Sequence, residues 1–183
     1  YIISRGYSSH NLLVVYNGIA IDHFKKAKSF PTNKKSIVIG MVGSFRRERD
    51  HLTVLKAVAQ LVRSGEKNIE VCFIGGVLDP ECKTEIMKYS SENGLDSYVK
   101  YLGTRRDIPE QLSLLDIYVA SSHSETFGVA LVEAMACGLP VIVSEIPAFM
   151  EIIEHGKHGL YFKTANYIEL AQRIEKLTKA KSL

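Results

Sequence analysis

No stretch of these 183 residues approaches the roughly 20 consecutive apolar residues that a membrane-spanning helix needs. No charged-then-apolar leader opens the sequence either, so the expected location is cytoplasmic. Charge of one sign is equally scarce. A formal net charge of +3 is too small for the basic, aromatic-interleaved stripe that nucleic acid demands, so no nucleic-acid partner is expected. The lysines that do cluster, Lys25, Lys26, Lys28, Lys34 and Lys35, flank Pro31 in a loop-like stretch and read as a solvated linker. Cysteine is sparse too. Cys72, Cys82 and Cys137 share no short spacing, which argues against a disulfide framework or a zinc site and leaves buried thiols. No G-x-G-x-x-G follows an apolar run, which disfavours a dinucleotide oxidoreductase. There is no internal repeat and no low-complexity tract.

What remains fits a compact domain with a sizeable core: 46% hydrophobic residues and a mean hydropathy of +0.01. Short apolar runs alternate with amphipathic stretches. Leu12 to Tyr16 reads as a strand closing on Asn17-Gly18, and Ala20 to Lys35 as a linker. Strands are then expected over Ser36 to Val42, Ile69 to Ile74, Val99 to Leu102, Ile117 to Ala120, Pro140 to Val143 and Gly159 to Phe162. Helices are expected between and after them, over Asp50 to Arg63, Pro80 to Glu92, Ile108 to Leu115, Gly128 to Ala136, Phe149 to Glu154 and Tyr167 to Lys179. Asp50 is placed to cap the first helix and Gly65 to end it.

The strands are unbroken apolar runs, as in a parallel sheet covered on both faces. The expected fold class is therefore α/β, a Rossmann-like doubly wound parallel sheet with helices on both faces. Ligands bind such sheets outside the carboxyl ends of the strands, which directs attention to the loops 43–50, 75–80, 103–107 and 121–128.

The last of these leads into Ser124-Glu125-Thr126-Phe127-Gly128-Val129, where two carboxylates, Glu125 and Glu133, stand eight positions apart among small apolar residues. Glu125 lies on the loop and Glu133 inside the helix, so the two suit different parts of one elongated ligand. A carboxylate accepting two hydroxyls of a vicinal diol fits a ribose or a hexose. The amides of Phe127, Gly128 and Val129 are candidate unpaired donors at the helix start, which attract phosphate or sugar oxygens. A simpler reading makes Glu125 an electrostatic cap and Glu133 a solvent-facing residue.

The string from Glu125 to Val141 resembles the E-x7-E signature of family-4 retaining glycosyltransferases. Asn17-Gly18-Ile19 with Asp22-His23-Phe24 resembles that family's interdomain linker, and Val42-Gly43-Ser44-Phe45 with Arg49-Asp50-His51 its diphosphate loop. Leu102-Gly103 with Leu115-Asp116 resembles its base-side segment. The resemblance implies the C-terminal half of a GT-B fold. Residues 1–35 would be the end of an N-terminal domain plus linker, and residues 36–183 a nucleotide-sugar-binding domain. It implies retaining transfer of a hexose from a nucleotide-diphosphate sugar, a UDP-sugar by preference, to a glycan or lipid-linked acceptor in bacterial surface-polysaccharide synthesis. The acceptor would be held by the N-terminal half, and the full-length protein would work at the inner face of the membrane if that acceptor is lipid-linked. This stretch alone would bind donor weakly and transfer nothing.

Carried over residue by residue, Glu133 would hold the ribose and Glu125 would position the donor sugar. Phe127, Gly128 and Val129 would approach sugar and phosphates, with Thr126 beside them, and Arg49 would neutralise the departing diphosphate. Gly43, Ser44 and Arg46 would complete the diphosphate side, and Arg105 and Ile108 would border the base. His123 joins the donor-binding candidates, although a structural hydrogen bond is its simpler explanation. Ser44 stands where the family usually has arginine, and Arg49 where it has lysine, which leaves Arg46 or Arg47 to supply the second phosphate cation. The glycine pair common in the family is absent from Ile146-Pro147-Ala148-Phe149. No metal and no other cofactor are implied, and His155 and His158 read as surface residues. A nucleotide-sugar 2-epimerase and a non-catalytic nucleotide-binding module are the competing readings.

Overall fold

The computed structural model describes residues 15–24 and 36–180, together with His10 and Leu13. Six strands form one parallel sheet: β1 (Ile37–Val42), β2 (Ile69–Ile74), β3 (Val99–Gly103), β4 (Ile117–Ala120), β5 (Val141–Ser144) and β6 (Leu160–Phe162), in the spatial order β3-β2-β1-β4-β5-β6. The connecting helices are α1 (His51–Arg63), α2 (Pro80–Glu92), α3 (Ile108–Ser113), α4 (Val129–Ala136), α5 (Pro147–Met150) and α6 (Tyr167–Ala180).

Unbroken apolar strands arise because both faces of the sheet are covered. On β1, Ile39 and Met41 face a core shared with α1, α2 and α6, while Val38 and Val42 pack on the other side against a core built with α3, α4 and α5. On β4, Ile117 and Val119 divide from Tyr118 and Ala120 in the same way. Gly40 marks a tight spot, since a Cβ there would lie 2.1 Å from a methyl of Leu115.

Helix starts follow local chemistry. The Asp50 carboxylate accepts from the Thr53 amide at the head of α1, and the Asp79 carboxylate from the Cys82 amide at the head of α2, where Pro80 fills the first turn. Cys72, Cys82 and Cys137 are all buried and form no disulfide among the described residues, as the sequence suggests. No helix among the described residues is long and apolar enough to cross a membrane.

Three expectations need correction. Within 12–16, the described residues Leu13, Val15 and Tyr16 form no strand and are 87%, 80% and 62% exposed, because an apolar run becomes a strand only beside a ladder partner. The helix expected from Phe149 begins earlier, at Pro147, whose fixed φ suits a first turn. Leu115-Asp116 does not lie at the base side. Asp116 precedes β4, at the end of the sheet opposite the strand exits, where its carboxylate accepts from the Val38 amide at 2.8 Å and its own amide donates to the Val38 carbonyl. Lys25, Lys26, Lys28, Lys34 and Lys35, with most of the expected linker, lie outside the described residues.

Candidate donor site at the sheet reversal

After β1 the chain winds outward to β2 and β3, then crosses back to place β4 on the other side of β1. At this reversal the loops leaving β1 and β4 splay to opposite faces and open a crevice between them. A cleft of about 300 Å³ lies there, with Val42, Gly43 and Arg49 on the β1 side and Glu125 to Ala130 with Glu133 on the β4 side. Asn17 reaches the same cleft, and the adjacent Tyr16 ring packs 6.2 Å from that of Phe127.

The β1 exit is a short 3-10 turn, Arg47–Arg49, followed by Asp50 in the left-handed region at φ 51°. It swings the Arg49 side chain back over Gly43, so that a Cβ on Gly43 would meet Arg49 Nε at 3.2 Å. Arg49 Nη1 pairs with Glu125 Oε1, whose side chain is only 6% exposed, while Arg49 Nε is buried with no partner among the described residues. Burial draws the guanidinium below its ordinary value, and the positive charge of Arg46 acts in the same direction while Tyr118 opposes them.

The β4 exit ends on Gly128, which is left-handed at φ 98° and sits directly before α4. A Cβ there would lie 2.7 Å from the Phe149 ring, so the turn closes only with glycine. The Val129 and Ala130 amides that begin α4 have no helical acceptor behind them, and both residues line the cleft. Glu133 lines the cleft from the second turn, and burial holds its carboxyl above the ordinary glutamate range.

The structure thus gathers Gly43, Arg49, Glu125, Thr126, Phe127, Gly128, Val129 and Glu133 around one cleft. Other candidates are placed elsewhere. The Arg105 guanidinium grips Asp107 through two bonds of 2.8 and 2.6 Å on the surface, which lowers the Asp107 carboxyl, and Ile108 begins α3 half-buried against the core. Neither lines the cleft. His123 turns away from it, with Nε2 3.3 Å from Asp50 Oδ2, toward a separate hollow beside Cys82 and Glu85. The bond that its position serves is made by its backbone, whose amide donates to the Glu48 carbonyl at 2.8 Å. Ser44 follows Gly43 without lining the cleft. Arg47 is drawn off by Asp79, Glu81 and Glu85 at 3.7, 4.0 and 3.4 Å, whereas among the described residues Arg46 pairs with Glu48, at 4.0 Å. His155 and His158 are exposed, His158 accepting from the Glu154 amide in its own loop and His155 from the Tyr161 amide in β6.

Sequence reasoning overlooked Asn17 as a cleft residue, although Asn17-Gly18 was a visible turn signal. Ser121, described below, gave no signal at all among its serine neighbours.

The sequence model of the family described as glycosyl transferases group 1 matches residues 22–183. A D-inositol 3-phosphate glycosyltransferase of Corynebacterium urealyticum is 30% identical over 181 residues, covering 86% of this chain and 41% of its own. The crystal structure of Anabaena HepE in complex with UDP and glucose superposes with a TM-score of 0.88 at 26% identity, over 98% of this chain and 50% of that one. The C-terminal domain of a glycosyl transferase group 1 family protein from Francisella tularensis shares the fold, with a TM-score of 0.78 at 24% identity over 88% of each chain. The present chain spans half or less of HepE and of the curated relatives, down to 23% of a Campylobacter jejuni N-acetylgalactosaminyltransferase.

Proposed function

This chain belongs to the glycosyl transferases group 1 family and has the C-terminal half of its GT-B fold, and from that premise we propose that its cleft binds a nucleotide-diphosphate sugar, a UDP-sugar above others. The donor's hexose would pass with retained anomeric configuration to a glycan or lipid-linked acceptor, in the synthesis of a surface polysaccharide. One observation carries the reading: a buried guanidinium, a helix N-terminus and two carboxylates converge on a single cleft at the β1/β4 reversal.

Each group has a task matched to its chemistry. Glu133 accepts the ribose hydroxyls, which replace the water its half-buried carboxylate lacks. The amides at the start of α4 meet the phosphate oxygens. Arg49 takes up the charge that develops on the diphosphate as the sugar–oxygen bond lengthens, through the unpaired Nε and by exchanging its Glu125 partner for phosphate. Arg46, close enough to depress Arg49 and not drawn off by the acids that hold Arg47, supplies the second cation in place of the side chain missing at Ser44. Glu125 then stands beside the donor sugar as a positioning group. The departing diphosphate itself takes the acceptor proton, so the step needs no metal: guanidinium groups and a helix N-terminus provide the positive charge.

Acceptor recognition, and any approach to the inner face of a membrane, is assigned to the other half of a GT-B fold. The test is calorimetric titration with UDP, GDP and ADP, repeated on Glu133→Ala. One nucleotide should bind, and the substitution should weaken it by about tenfold or more, since hydrogen bonds to a charged group contribute about 1.5 to 3 kcal/mol. Binding that ignores Glu133 would remove its ribose role, and no binding at all would favour a domain without donor.

A further inference from the structure

Beneath the cleft, the two loops that form it are laced together by one hydroxyl. Ser121, immediately after β4, is completely buried. Its Oγ lies 3.0 Å from the Arg49 carbonyl oxygen and 2.8 Å from that of Asp50. A serine has one proton to donate, so the two carbonyls share it. Two residues on, the His123 amide donates to the Glu48 carbonyl at 2.8 Å. Three successive carbonyls of the β1 loop, those of Glu48, Arg49 and Asp50, are therefore held by the exit loop of β4.

The middle of that run is where the Arg49 side chain departs. The residue after it, Asp50, has φ 51° and ψ 52°, a left-handed conformation that residues other than glycine seldom adopt. Such a conformation persists only where its surroundings over-determine it. At Asp50 the amide donates to the Arg47 carbonyl, the carboxylate accepts from the Thr53 amide and lies 3.3 Å from His123 Nε2, and the carbonyl accepts from the Thr53 amide and from Ser121, the fully buried member of the set. If the turn relaxes toward ordinary backbone angles, the Arg49 Cα–Cβ bond rotates and the guanidinium leaves both Gly43 and Glu125. The Ser121 side chain does not itself line the cleft, and it reaches the cleft residue Arg49 through that residue's carbonyl in this turn.

We propose that Ser121 is a positioning residue for the diphosphate: its shared hydroxyl bond locks the left-handed turn at Asp50 and thereby aims the Arg49 guanidinium into the cleft. This rests on the cleft being a nucleoside-diphosphate site. It explains why a fully buried hydroxyl sits at a position where the apolar strand could simply have continued.

Affinities of the 183-residue chain for UDP, GDP and ADP, each beside its monophosphate, test the proposal on Ser121→Ala. For the base that binds, the diphosphate should weaken about tenfold, the scale of one charged hydrogen bond, while the monophosphate changes less than about twofold. Asp50→Gly removes the conformational cost of the turn, so in that background Ser121→Ala should alter the diphosphate-to-monophosphate ratio far less. If Ser121→Ala fails to fold, Ser121→Cys, a weak donor of similar size, should show the same selective loss. Equal weakening of both nucleotides would mean a purely structural serine and overturn the proposal, as would an unchanged ratio or an effect indifferent to Asp50→Gly. Absence of binding by the unsubstituted chain would instead overturn the donor-site reading, and the proposal with it.

Discussion

At His51 the imidazole is completely buried, stacked on Phe45 at 4.4 Å and edge-on to Phe73 at 5.1 Å. Neither ring nitrogen has a partner with hydrogen-bond geometry among the described residues, and burial lowers the pKa from 6.5 to about 4, against the Gly43 backbone, which favours the charged ring. The unfolded chain therefore binds this proton at higher pH than the folded one. The stability contributed is present above pH 6.5 and is lost as pH falls through about 4, an effect of at most about 3 kcal/mol. His51→Phe keeps the aromatic stack and should flatten the denaturant midpoint between those two pH values. Glu133 has the opposite sign. Burial raises its carboxyl, so its contribution to stability is present below the unfolded glutamate value and is lost as pH rises through the folded one. Glu133→Gln should accordingly raise the melting temperature at neutral pH while weakening nucleotide binding about tenfold. In the unsubstituted chain, nucleotide affinity should fall as acid protonates Glu133, because only the carboxylate accepts from both ribose hydroxyls. Residue chemistry of this kind was partly legible. The spacing of Glu125 and Glu133 singled them out, but the pairing of Glu125 with Arg49 depends on a contact between residues 76 positions apart, which no local pattern records.

Among the elements, the exits of β1 and β2 meet glycine to glycine. A Cβ on Gly75 would lie 2.0 Å from the Gly43 carbonyl oxygen, a backbone atom that has nowhere to go, whereas the nearest atoms to a Cβ on Gly43 belong to the flexible end of Arg49, at a backbone φ of 159°. Gly75→Ala should therefore cost stability, by about 1 to 3 kcal/mol in urea unfolding. Gly43→Ala should cost stability through its φ of 159° and, unlike Gly75→Ala, should also weaken diphosphate binding by displacing the guanidinium. The same contrast marks what the sequence could and could not reveal. Strand and helix limits for β1, β2, α1, α2 and β4 follow from apolar runs and caps, because local chemistry decides them. The left-handed turn at Asp50 and the diversion of His123 and Arg105 away from the cleft escape such reading. The first two depend on which partner the finished fold brings near, Ser121 for the turn and Asp50 for His123, while Arg105 is held by Asp107 only two residues along.

For the molecule as a whole, the decisive feature is the order of the strands. The reversal between β1 and β4 sets Arg49 against Glu125 and opens the cleft between them. Another hollow, of about 280 Å³, lies near the start of β1, at the end of the sheet opposite the strand exits, lined among others by Ile37, Leu61 and Ile174. The most direct measurement is therefore amide chemical-shift mapping of the isotope-labelled chain during titration with UDP. The expected perturbations cluster at Gly43, Arg49, the amides from Phe127 to Ala130, and Glu133. Perturbations gathered instead around Ile37, Leu61 and Ile174, with the β1 and β4 exits silent, would contradict a nucleotide site at the sheet reversal.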